Sequence, residues 1–204
     1  MDAQATDGLT RSALLKRAAG AGGAALAASA TVGWAIAPAA AAPAGEMDLA
    51  WVRFGITAEF VSADYYRLAR RSGLFRPAET RTLERATAAQ NAHRTALRET
   101  LQNNGQAPID DADIEISFPD GAFDTRRRAV ALGRRLESAL LSAYLGAVTT
   151  IQDQTIRQLF AQLAASEAEQ LSFLTGLTGP LLTDPFPSVH GIATAADEFT
   201  RYTP

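Results

Sequence analysis

The sequence contains no cysteine. That excludes disulfides, thiolate metal sites and cysteine nucleophiles, while leaving the compartment open, because exported chains also do without cysteine. Histidine is nearly as scarce, with two among 204 residues, so a nucleophile–histidine–carboxylate triad is hard to assemble. No GxSxG elbow, phosphate-binding glycine loop or HExxH helix occurs. An excess of charge of either sign is also missing: the formal net charge of -3 leaves no electrostatic footprint for nucleic acid. Arginine clusters at Arg67, Arg70 and Arg71, at Arg126, Arg127 and Arg128, and at Arg134 and Arg135 read as solvated helix faces. A chain that is 47% hydrophobic and 20% charged suits one soluble domain with a proper core, plus extra segments at its ends.

The first of these segments is a different material. In "LTRSALLKRAAGAGGAALAASATVGWAIAPAAAAPAG" the basic residues Arg11, Lys16 and Arg17 are followed by no charge until Glu46. A basic start, an apolar run and small residues at a cleavage site describe an export signal over residues 1–45. The run is long enough to act as an anchor if uncleaved, but its Ala/Gly-rich composition is only mildly apolar. The expected location is therefore the periplasm, cell envelope or extracellular space, with membrane contact only through this segment. "TRSALLK" resembles the twin-arginine export motif, with Ser12 where the second arginine belongs. That resemblance implies export of an already folded chain, a route often used by proteins that take up a cofactor inside the cell.

From Asp48 onward the apolar periodicity predicts four long helices: about Asp48 to Ser72, Pro77 to Asn103, Thr125 to Ala147, and Gln152 to Thr175. The first and last connections are short. The middle one, "QAPIDDADIEISFPDGAFD", is long and rich in Pro, Gly and Asp. Two antiparallel hairpins joined by one long crossover make an all-α four-helix bundle of the ferritin-like kind, spanning residues 46–178. The tail, 179–204, carries Pro185, Pro187 and a short helix from about Thr194 to Tyr202, and wraps the bundle.

Each helix carries polar residues in the middle of its apolar seam. Glu59 lies among Val52, Ile56, Ala63 and Tyr66; Gln90 and His93 lie among Leu83, Ala86, Leu97 and Leu101. Glu137 shares a stripe with Val130, Leu141, Tyr144 and Val148, and Glu167 and Gln170 share one with Ile156, Phe160, Leu163 and Leu174. Burying one unpaired carboxylate costs several kcal/mol, and three converging carboxylates add mutual repulsion. A divalent cation between them removes that cost. A buried hydrogen-bonded network of the same six residues, with the amides donating to the carboxylates, is the metal-free alternative.

The chain from about Asp48 to Thr175 resembles the ferritin-like superfamily, and within it the exported proteins grouped with desiccation-related proteins. Besides the seam residues, "FPDGAFD" and "LESALLSAYLGA" resemble segments of that group. The resemblance implies a di-metal carboxylate site with one Glu from each of two helices and Glu-x-x-His from the other two. Glu59, Glu137, His93 and Glu167 match such positions. Gln90 stands in place of a glutamate and Gln170 in place of a histidine, so the motif is degenerate. Glu59, His93 and Glu167 remain as a three-ligand set for a single iron or manganese ion, with Glu137 assisting. The implied function is iron handling or oxidative-stress defence; the alternative is a metal-free structural or stress-related envelope protein that kept the fold. Homo-oligomerisation is compatible with either. Elsewhere, Tyr66 and Tyr144 read as core tyrosines bonded at the hydroxyl, His190 as a loop residue, Glu84, Glu99 and Glu169 as surface, and Asp110, Asp111 and Asp113 as a solvated acidic turn.

Overall fold

The computed structural model describes residues 44–107, 109–178 and 187–203. The export segment up to residue 43, and residues 179–186 of the tail, lie outside the described residues. Five α-helices account for most of the rest: α1 (Glu46–Arg71), α2 (Pro77–Asn103), α3 (Arg126–Thr150), α4 (Gln154–Gly176) and α5 (Ile192–Thr200), with one 3-10 turn at Asp111–Asp113. No strand occurs among the described residues. No helix among them is long and apolar enough to cross a membrane.

Local chemistry sets the helix ends, and it moves several of them from the expected places. Pro77 opens α2, where its missing N–H is no loss, and the Glu79 carboxylate turns back to accept the Arg76 backbone N–H at 3.0 Å. Thr125 proves to be the cap of α3 rather than its first turn: its Oγ1 accepts from the Arg128 N–H at 3.3 Å. That helix runs three residues past Ala147, with the hydroxyls of Thr149 and Thr150 folded back onto the Gly146 carbonyl. Helix α4 begins two residues later than the periodicity suggests, because Asp153 caps it and accepts from the Ile156 N–H at 2.9 Å. The N–H groups of Gln152 and Asp153 are instead claimed by Asp48, whose buried carboxylate accepts from both. Asp48 thereby ties the start of α1 to the α3–α4 turn.

Helix α1 packs along α2, and α3 along α4, with α1 against α3 joining the two hairpins; the backbones of α2 and α4 scarcely approach each other. The α1–α3 contact is close because position 133 is glycine. A Cβ there would lie 2.1 Å from the Tyr65 Oη, which crosses at that point to donate to the Ala129 carbonyl at 3.0 Å. In the core Phe160 meets the Tyr144 ring edge-on at 5.3 Å, and Trp51 closes one end by donating its indole N–H to Thr150 Oγ1 at 2.9 Å. Burying a side chain of Phe160's size contributes about 1.5–3 kcal/mol.

Two surface readings are corrected. Arg126 is not a solvated charge: it donates to Glu79 at 2.8 Å and to the Leu177 carbonyl at 3.1 Å, joining the starts of α2 and α3 to the end of α4. Asp111 is not a solvated acid either, since it forms ion pairs with Arg94 and Arg98 of α2 and pins the long crossover to that helix. Arg94 also lies over the Phe60 ring at 4.5 Å, so its charge is held by both a carboxylate and a π face.

Candidate metal centre

Glu59, Glu137 and Glu167 are fully buried, as is Gln90, and Gln170 is nearly so. They sit at mid-helix on four separate helices, which places them at one level of the bundle. Three of them need help to stay there, because nothing in an apolar core compensates a bare carboxylate.

The help comes from specific partners. His93, on α2, points Nδ1 at two carboxylates at once: Glu59 Oε2 at 3.3 Å and Glu167 Oε1 at 3.2 Å. Tyr144 donates its hydroxyl to Glu59 Oε1 at 2.6 Å. Ser62, one turn after Glu59 on α1, donates to Glu137 Oε1 at 2.7 Å. Gln90 donates its amide to Glu167 Oε2 and to Gln170 Oε1, both at 3.1 Å. Even so, Glu137 Oε2, Gln90 Oε1 and the Tyr66 hydroxyl have no hydrogen-bond partner, and Glu167 Oε1 meets only the His93 nitrogen that it shares with Glu59.

Burial raises the Glu59 carboxyl above its ordinary value, outweighing the opposing pull of His93 and Tyr144. Burial, and then the charge of Glu167, pushes Glu137 well up. Burial, followed by the charge of Glu59, raises Glu167. For His93 burial works against protonation, but the hydrogen bonds and charges of Glu167 and Glu59 prevail and raise it to about 10. His93 therefore keeps at neutral pH a proton that it would largely have shed in water, and the carboxyls hold theirs to higher pH than in water.

Glu59, His93 and Glu167 each offer one ligand atom, and the three atoms lie within 4.8 Å of one another. Donors held about 2.1 Å from one ion sit about 3 Å apart at right angles. The spacings around His93 Nδ1 are close to that. The donor chemistry fits as well: two carboxylates and an imidazole nitrogen suit a borderline first-row cation. Glu137 stands outside this group of three, beside Glu167. Gln90 and Gln170, at two places where the family pattern has ligands, carry amides that bond to each other.

Of the six residues singled out in the sequence, the structure brings all six together. Sequence reasoning missed Ser62, although its place three residues after Glu59 on the same seam was a usable signal. It also gave Tyr144 no particular partner, and here the tyrosine hydroxyl makes the shortest contact to Glu59. Tyr66, by contrast, lacks the hydroxyl partner expected of a core tyrosine. A cleft of about 350 Å³ between α2 and α4, lined by Arg85, Ala89, Glu169 and Gln170 among others, opens from solvent towards the amide side of the cluster.

Four helices in two hairpins, with carboxylates and a histidine meeting at mid-height, define the class of ferritin-like carboxylate bundles. Residues 47–180 match the model of the ferritin-like domain, and the chain belongs to that family. No curated protein matches the sequence.

Proposed function

We propose that the protein binds a single iron or manganese ion through Glu59, His93 and Glu167, with Glu137 assisting, and that it serves iron handling or oxidative-stress defence outside the cytoplasm. The observation that carries this reading is the convergence of those three ligand atoms within 4.8 Å in a core that leaves Glu137 Oε2 without a hydrogen-bond partner. An ion of this kind supplies redox and Lewis-acid chemistry towards oxygen or peroxide when bound. The chain's own residues have separate tasks. His93 contributes the one nitrogen donor. Tyr144 holds one oxygen of Glu59 and leaves the other facing His93. Gln90 holds Glu167 in the same manner. The basic, then Ala/Gly-rich start of the sequence supports export.

One observation favours a second reading, a metal-free bundle with a structural or stress-related envelope role. With His93 protonated between Glu59 and Glu167, and Gln90 donating to Glu167, much of the charge is balanced without an ion.

Metal content per chain after anaerobic Fe(II) or Mn(II) loading and desalting separates the two. One ion per chain is expected, together with a rise in melting temperature, since a ligand at 100 times its Kd adds about 2.7 kcal/mol to the native state. His93→Ala should abolish that rise; a rise that survives the substitution excludes this ligand set. No retained metal in well-folded protein leaves the structural reading.

A further inference from the structure

The two carboxylates that face His93 are each held at their far oxygen, and from different helices. Glu59 Oε2 faces His93 Nδ1 at 3.3 Å, while Glu59 Oε1 accepts the Tyr144 hydroxyl of α3 at 2.6 Å. Glu167 Oε1 faces the same nitrogen at 3.2 Å, while Glu167 Oε2 accepts the Gln90 amide of α2 at 3.1 Å. Each carboxylate thus turns one oxygen towards His93 and has the other bonded away from it. Glu59, Gln90, Tyr144 and Glu167 are all closed to solvent.

Neither donor is free to follow its carboxylate. The Tyr144 ring packs edge-on against Phe160 at 5.3 Å. The Gln90 amide is tethered a second time, to Gln170 Oε1 at 3.1 Å. Turning a bonded oxygen inward would strand its donor, and a buried donor without a partner is strongly disfavoured. Both donors are neutral, a hydroxyl and an amide, so each fixes an oxygen without bringing a positive charge that would repel a cation.

We infer, on the proposed single-ion reading of this centre, that Tyr144 and Gln90 are positioning residues that restrict Glu59 and Glu167 to one oxygen each on the ion. With the His93 nitrogen the protein then supplies three donors, and an octahedral ion such as Mn(II) keeps about three positions for water or a small oxidant. Carboxylates free to bind through both oxygens would fill two of those positions. The two hydrogen bonds thereby keep the centre open to an incoming molecule.

The test counts waters on the ion instead of following activity. Full-length protein is loaded with Mn(II) and desalted, and its high-field EPR line widths are compared in ordinary water and in water enriched in the magnetic oxygen isotope, which broadens the lines in proportion to the waters bound. About three are expected for the parent. Tyr144→Phe and Gln90→Met nearly conserve side-chain volume and should still retain one Mn(II) per chain, but each should lose about one water as the released oxygen joins the ion. Ser62→Ala removes another buried hydroxyl, one that serves Glu137 and not the three ligands, and should keep the parent's count. A merely structural role for Tyr144 and Gln90 would lower the melting temperature and leave the count alone, and that result overturns the inference. So does an equal loss of water in Ser62→Ala. A folded variant that no longer retains Mn(II) also overturns it, since a freed oxygen should add a donor. Failure of the parent itself to retain Mn(II) is distinct: it removes the proposed function, and this inference with it.

Discussion

At His93 a proton and a metal ion want the same place. The nitrogen that faces both Glu59 and Glu167 holds a proton between them in the absence of metal, and it must lose that proton to offer a lone pair. This gives a signed prediction. The folded His93 is raised from 6.5 to about 10, so its stabilisation is fully present below pH 6.5 and is lost as pH rises through about 10. Glu59, Glu137 and Glu167 are raised too, and raised carboxyls act in the same direction, since the native state again binds more protons than the unfolded chain. The metal-free protein should therefore melt at lower temperature as pH is taken from 6.5 towards 10. With Mn(II) the fall should shrink or reverse, because the ion replaces the proton. Parallel thermal melts in EDTA and in Mn(II) across that range check it; identical pH profiles would count against metal binding. Glu79 marks the acid limb. Burial alone would raise it, but the hydrogen bonds from Arg76 and Arg126 hold it down at about 2, so its contribution is lost only as pH falls towards that value.

The two glutamines belong to the same scale. Gln90 and Gln170 bond to each other where the family pattern places a glutamate and a histidine. The double variant Gln90→Glu/Gln170→His should raise the metal content from one ion to two per chain. It should also destabilise the metal-free protein, because a fourth carboxylate enters the same buried site. Elemental analysis and an EDTA-treated melt read both effects.

At the scale of the elements, the apolar seams were legible in the sequence and the helix ends were less so. Periodicity identifies which face is buried because a helix must cover a continuous stripe. It says little about where the stripe stops, which depends on partners distant in sequence. Asp48 illustrates this: it withholds Gln152 and Asp153 from α4 across a separation of more than a hundred residues. The same holds for the α1–α3 contact. Gly133 looks like an ordinary interruption of a helical pattern, and only the fold reveals Tyr65 passing over it. Gly133→Ala should displace Tyr65 and break its bond to the Ala129 carbonyl, costing roughly 1–3 kcal/mol. A lower urea midpoint with unchanged helical content is the expected readout; an unshifted midpoint would mean that α1 and α3 can separate at little cost.

For the whole molecule, the important asymmetry is that the backbones of α2 and α4 scarcely approach each other, so that these helices meet through the side chains of the cluster. Each is held by its own hairpin partner, and the cleft between them leads to Gln170 at the edge of the cluster. Under the proposed function this cleft is the expected route for the ion. Ala89 lines the cleft without belonging to the cluster. Ala89→Phe should slow metal uptake several-fold, measured by stopped-flow loading, while the final content per chain stays the same. Unchanged uptake would place the route elsewhere.

The sequence by itself determined the helical periods, the long crossover between two hairpins, and which residues are polar where a core is expected. Those follow from patterns local to each helix. Glu59, His93, Glu137 and Glu167, with Gln90 and Gln170, could be identified as a group because each interrupts such a pattern. Only the tertiary structure decided how they divide: His93 between Glu59 and Glu167, Glu137 to one side with Ser62, and the two glutamines bonded to each other. It also decided that Arg94, Arg98, Arg126 and Asp111 are structural charges. These outcomes depend on distances between helices and on which buried atom finds a partner, quantities that a repeat along one strand of sequence does not contain.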